Sequence, residues 1–159
     1  MERRSYTTSA DGTHLFFHVF NEEQPRALVL CDGLGCSGYV WRYLIPFFEQ
    51  KYQIIHLHYR GHGNSSAPAD PDHVAVDHLV QDVEAVLKEC QYREAVLIGH
   101  SMGVQVALQC AISHPDMAQA VVLVCGAPGN PLATFHDTDL MRYIFPWMRR
   151  FVETAPNAA

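Results

Sequence analysis

The sequence predicts an α/β fold, a mainly parallel sheet flanked by helices. Two observations carry that prediction. Short unbroken apolar runs alternate along the chain with longer segments of helical period, the pattern that strand–helix–strand units produce. Three of the apolar runs also feed into glycine-containing turns, at 32–38, 60–65 and 99–103. A run that is apolar on both faces belongs to a strand covered on both sides, as in a parallel sheet.

The elements follow in order. Asp11-Gly12-Thr13 is a turn signal leading into a strand over residues 15–20. A polar loop over 21–26 precedes an apolar strand, Ala27-Leu28-Val29-Leu30-Cys31. Residues 39–50 have helical spacing around Trp41, Leu44 and Phe48, and Pro46 is expected to bend or break that helix. The next strand covers 53–59. Residues 73–90 place Leu79, Val83, Val86, Leu87 and Cys90 on one helical face. Strand 95–98 then meets a turn, helix 104–113 stops near Pro115, and a last apolar strand covers 120–125. Residues 1–130 thus read as one core. Residues 131–159 read as the start of a cap or lid, or as a frayed C-terminal segment, with an aromatic stripe from Tyr143 to Phe151 interrupted by Pro146.

Composition narrows the function. The chain has 159 residues, 48% hydrophobic and 18% charged, enough for one domain with a core. Its net charge of −6 argues against nucleic acid as a partner, because phosphate binding needs a basic face. No apolar stretch approaches the ~20 residues of a membrane span, and no apolar segment follows Arg3-Arg4 to make a secretory signal. The five cysteines are an odd number without C-x-x-C spacing. Structural zinc is therefore not expected, and a reducing, cytoplasmic location is. His56 and His58 alternate on one strand and the other histidines are dispersed. With no H-E-x-x-H pair, no metal site is expected.

The chemistry concentrates at Gly99-His100-Ser101-Met102-Gly103, which reads G-x-S-x-G between a strand and a helix. A serine hydroxyl is a weak nucleophile unless the backbone presents it. A sharp strand-to-helix turn does so by holding the serine in a sparsely populated conformation. Side chains at 99 and 103 would collide with the crossing strand and helix, so both positions call for glycine. The loop at 32–38 lacks the spacing of a phosphate-binding loop.

Four segments in this order resemble the α/β-hydrolase superfamily. They are Ala10-Asp11-Gly12-Thr13-His14-Leu15, Asp32-Gly33-Leu34-Gly35 with Trp41, Tyr59-Arg60-Gly61-His62-Gly63-Asn64-Ser65, and the pentapeptide at 99–103. The resemblance covers residues 10 to about 130, and the joint order is more specific than any one segment. It implies Ser101 as a nucleophile forming an acyl-enzyme. It also implies the backbone N–H groups of Leu34 and Met102 as oxyanion-hole donors, and Gly99 and Gly103 as elbow glycines. Helix 104–113 would point its positive end at the same charge. The implied activity is hydrolysis of a carboxylic ester or related acyl bond. No cofactor is implied. An apolar lid suggests a small hydrophobic acyl or aromatic substrate.

Two departures from the family shape the expectation. Asp32-Gly33 stands where the family usually has His-Gly, which places a carboxylate near a developing oxyanion unless its side chain turns away. The family's acid and histidine follow later strands, and neither is visible here. Gly126 and Ala127 occupy the place where some members carry the acid. His62, His100 and His136 are weighed as substitutes, with packing or surface roles preferred. The chain is therefore expected to resemble the N-terminal half of a full-length member, with weak or absent turnover by itself. The competing expectation is a non-catalytic or partner-dependent module. Ser rather than Asp at 101 argues against dehalogenase and epoxide hydrolase chemistry. With later strands missing, strand 120–125 is expected to be an open sheet edge prone to self-association.

Overall fold

Strand-forming runs dominate the first third of the chain. The computed structural model, which describes residues 2–129, pairs them into one six-stranded sheet. The strands are β1 (Glu2–Thr8), β2 (His14–Phe20), β3 (Ala27–Cys31), β4 (Gln53–Leu57), β5 (Ala95–His100) and β6 (Ala118–Val124). The helices are α1 (Leu44–Phe48), α2 (Val76–Glu89) and α3 (Gly103–Ser113), with 3-10 turns at Tyr39–Trp41 and Pro115–Met117. The sheet order is β1-β2-β4-β3-β5-β6. β1, β2 and β4 pair antiparallel, and β4, β3, β5 and β6 pair parallel. The sheet is thus mixed, with a parallel half as the apolar runs predicted.

The two faces of the sheet bury different partners. Leu15, Phe17, Val19, Val29, Ile55, Leu57 and Leu97 meet Val80, Val83 and Leu87 of α2 and Val106, Ala107 and Cys110 of α3. The opposite face sets Leu28, Leu30, Ile54 and Ile98 against Trp41, with Leu44, Ile45 and Phe48 packed at its margin. Odd and even strand positions therefore serve separate cores, as the two-residue period of a strand requires.

Three local readings are revised. β1 was not expected, because Glu2-Arg3-Arg4-Ser5 carries no apolar signal. It forms as an edge strand in register with β2, Thr8 opposite His14, closed by the turn at Asp11-Gly12-Thr13. Pro46 does not break its helix. The chain turns at Arg42-Tyr43, so Pro46 falls in the first turn of α1, where its missing N–H leaves no bond unmade. β6 begins at Ala118, two residues before its apolar run, and pairs only with β5 among the described residues.

The chain divides into a compact unit, Met1–Ala127, and a second, Pro128–Ala159. The cap expected over 131–159, with His136, lies outside the described residues.

Candidate active site

The carboxyl ends of β3 and β5 build the site. β5 runs to His100 and α3 begins at Gly103, so a two-residue turn reverses the chain. Ser101 sits in that turn at φ 53, in the left-handed region, which costs an L-residue roughly 1–2 kcal/mol. Its N–H donates to Val124 O at 3.0 Å, which ties the turn to the end of β6. The glycines are forced by contact. A Cβ on Gly99 would lie 2.3 Å from Gly103 O, and one on Gly103 would lie 2.0 Å from Cys31 O. The same crowding extends to Gly126, where a Cβ would come within 2.4 Å of Ser101 O. There is no room for an acidic side chain at position 126.

The loop after β3 packs on this turn. Gly33 approaches so closely that a Cβ there would lie 3.1 Å from Ser101 Cβ and 3.2 Å from His100 Nδ1. Among the described residues neither the Leu34 nor the Met102 N–H donates to a protein acceptor, so both amides remain available to a bound oxygen. The side chain of Leu34 is 66% exposed, and Tyr39 of the same loop is also exposed.

Asp32 turns away from Ser101 and into the protein. Its carboxylate is buried and accepts from Trp41 Nε1 at 2.5 Å, Gly38 N at 3.0 Å and His56 Nε2 at 2.9 Å. Three donors satisfy the charge, so Asp32 acts as the anchor that shapes loop 32–38. Its place at the start of that loop was legible in the sequence. Its partner His56, 24 residues away, was not.

Among the described residues no base reaches the serine. Among the described residues no side chain is hydrogen-bonded to Ser101 Oγ. His100 packs edge-on against Trp41, with ring centroids 6.1 Å apart, and its buried Nδ1 has no partner. His62 Nδ1 lies 3.1 Å from Arg60 O within its own loop.

The loop at 59–65 serves the scaffold. The side chain of Arg60 is fully buried and grips Asp82 through Nε at 2.8 Å and Nη2 at 2.5 Å. It also reaches Asp11 Oδ2 at 2.7 Å, His73 O at 2.9 Å and Ser9 Oγ at 3.1 Å. One guanidinium thus joins the β1–β2 turn, α2 and the segment before it. Hydrogen bonds from Thr13, with His73 and Arg60 beside it, hold the Asp11 carboxyl well below its ordinary range.

Comparison with known proteins places this geometry in a family. A family model described as alpha/beta hydrolase fold matches residues 26–156. Human epoxide hydrolase 4 is 28% identical over 92% of this chain and 43% of its own length. The 3-oxoadipate enol-lactonase 2 of Acinetobacter baylyi is 32% identical over 74% of this chain and 43% of its own length. The crystal structure of epoxide hydrolase A from Mycobacterium thermoresistibile superposes with a TM-score of 0.75 at 26% identity, over 91% of this chain and 45% of that one. The chain thus spans less than half the length of each of these relatives.

Proposed function

The chain belongs to the α/β-hydrolase fold family, and from that premise we propose that Ser101 is the nucleophile of a hydrolase acting on carboxylic ester or related acyl bonds. The observation that carries this is the turn itself: an exposed serine at φ 53, with the Leu34 and Met102 amides unbonded among the described residues. Attack by Oγ on a carbonyl carbon breaks the C=O π bond and moves charge onto oxygen. The Leu34 and Met102 N–H groups would receive that charge, each contributing about 3 kcal/mol to the transition state. Collapse expels the alkoxide, which leaves as the alcohol after taking up, through solvent, the proton given up by the serine hydroxyl, and the acyl-serine that remains is then cleaved by water.

Several relatives are named as epoxide hydrolases, and the chemistry of residue 101 argues for a different bond here. A serine opening an epoxide leaves an ether on the enzyme, and water does not cleave an ether under these conditions. A serine attacking a carbonyl leaves an ester, which turns over. The enol-lactonase, named for a cyclic ester, fits that logic. The exposed side chain of Leu34, whose amide is one of the two donors, favours a small apolar acyl group.

With no base beside Ser101 among the described residues, turnover by the 159-residue chain is expected to be weak. The oxyanion hole and binding alone retain roughly 10³–10⁴-fold over water. The lack of a base beside Ser101 among the described residues favours a second reading, a non-catalytic module that works with a partner. Treatment with a fluorophosphonate, read by mass spectrometry, separates the two. Covalent modification at Ser101, with slow p-nitrophenyl ester hydrolysis lost in Ser101→Ala, supports the nucleophile. An unmodified serine overturns it. We also propose a reducing, cytoplasmic setting, supported by five free thiols, and self-association through β6, supported by exposed Val122 and Leu123 on that strand.

A further inference from the structure

We propose that His18, His56 and His58 form a binding site for one divalent transition-metal ion of the zinc class. None of the three histidines is hydrogen-bonded to Ser101, and the cluster touches the hydrolase site through the His56–Asp32 bond that anchors loop 32–38. Its geometry comes from the sheet. His18 on β2 lies directly opposite His56 on the antiparallel β4. His58 follows His56 by two residues and therefore projects to the same face. One ring nitrogen from each residue lies within 4.8 Å of the others, and the ring centroids are 5.4 to 5.8 Å apart.

One nitrogen of each of two rings is already held by a carboxylate. His18 Nδ1 lies 2.7 Å from Glu2 Oε1, and His56 Nε2 lies 2.9 Å from Asp32 Oδ2. As N–H donors to these oxygens, the rings keep their lone pairs on His18 Nε2 and His56 Nδ1. A carboxylate behind a ligating imidazole fixes the tautomer and raises ligand basicity, and it is the usual support of metal-bound histidine. Packing accounts for Phe16, whose ring centroid lies 4.8 Å from those of both His18 and His58.

Metal capture requires two adjustments. Metal–nitrogen bonds of 2.0–2.1 Å set tetrahedral nitrogens about 3.4 Å apart, so the rings must close in. His18 and His58 are partly exposed and can move, whereas buried His56 is the fixed point. His58 Nδ1 accepts the Asn64 N–H at 3.1 Å, which leaves the ring proton on Nε2. To ligate through Nε2, His58 releases that proton to solvent and takes one up on Nδ1, giving up the Asn64 bond. The ring stays neutral throughout. Three neutral imidazoles select zinc, cobalt, nickel or copper over calcium or magnesium, with a fourth position left for water. A metal on His56 Nδ1 also makes its Nε2–H a stronger donor to Asp32, which stiffens loop 32–38.

Titration of metal-free protein with Zn²⁺, by calorimetry and by thermal melting, tests the site. The expected result is one equivalent bound with a raised melting temperature. His18→Gln and His58→Gln should each weaken binding by at least tenfold, and Glu2→Gln by roughly tenfold. His114→Gln, outside the cluster, should leave it unchanged. Nitrogen NMR of labelled histidine should record the tautomer change at His58. Absence of saturable binding overturns the proposal. So does Zn²⁺ binding that survives both His18→Gln and His58→Gln, which would place the ion on thiols such as Cys36 or Cys125.

Discussion

Ser101 carries strain that its neighbours impose. Replacing it by glycine removes the left-handed penalty and adds chain entropy to the unfolded state. The net expectation for Ser101→Gly is a stabilisation of roughly 0.5–1 kcal/mol with complete loss of fluorophosphonate labelling, read by denaturant unfolding. A destabilised variant would mean that the turn is not strained by its serine. Asp11 makes a second prediction. Its folded pKa lies below the ordinary 3.8, chiefly through its bond with Thr13. As pH falls, the unfolded chain protonates first. The stability contributed by Asp11 is therefore complete above about pH 4 and withdrawn as acid increases below 3.8. Acid unfolding of Asp11→Asn should lose that component of the pH dependence. At this scale the demand at Gly99 is local, since a Cβ there would meet Gly103 O, whereas the demand at Gly103 comes from Cys31 across the sheet. The direction of the Asp32 side chain was not legible in the sequence, because it is decided by Trp41 and His56.

At the scale of elements, Arg60 holds three segments that the chain order keeps apart. Arg60→Ala would leave Asp82, whose side chain is fully buried, without its partner. Breaking a buried pair in this way costs about 3–5 kcal/mol, to be read from the shift in denaturation midpoint. A loss under about 1 kcal/mol would show that water replaces the guanidinium. The glycine-rich context of Arg60 was visible in the sequence, but its role as a strut was not. That role needs Asp82, Asp11 and Ser9 to converge, and they lie up to 51 residues away. β1 escaped the reading for a related reason: an edge strand with polar residues has no periodic apolar signal. It forms because β2 offers an unpaired edge.

For the whole molecule, the sheet ends at β6 among the described residues, with Val122 and Leu123 exposed. An apolar edge of this kind templates further pairing. Sedimentation velocity of the 159-residue chain is expected to show association, and Leu123→Lys should shift it toward monomer; a monodisperse wild-type monomer would refute this. Sequence by itself determined the α/β alternation, the strand-to-helix turn at 99–103 and the family, because each is written in contiguous residues or in their order. Tertiary structure decided which way Asp32 points, what Arg60 holds and that His18 stands opposite His56. These depend on strand pairing across long separations, and a search of spacing along the chain does not register a contact made between strands. The pentapeptide could thus be read directly, whereas the three-histidine cluster existed only once β2 lay beside β4.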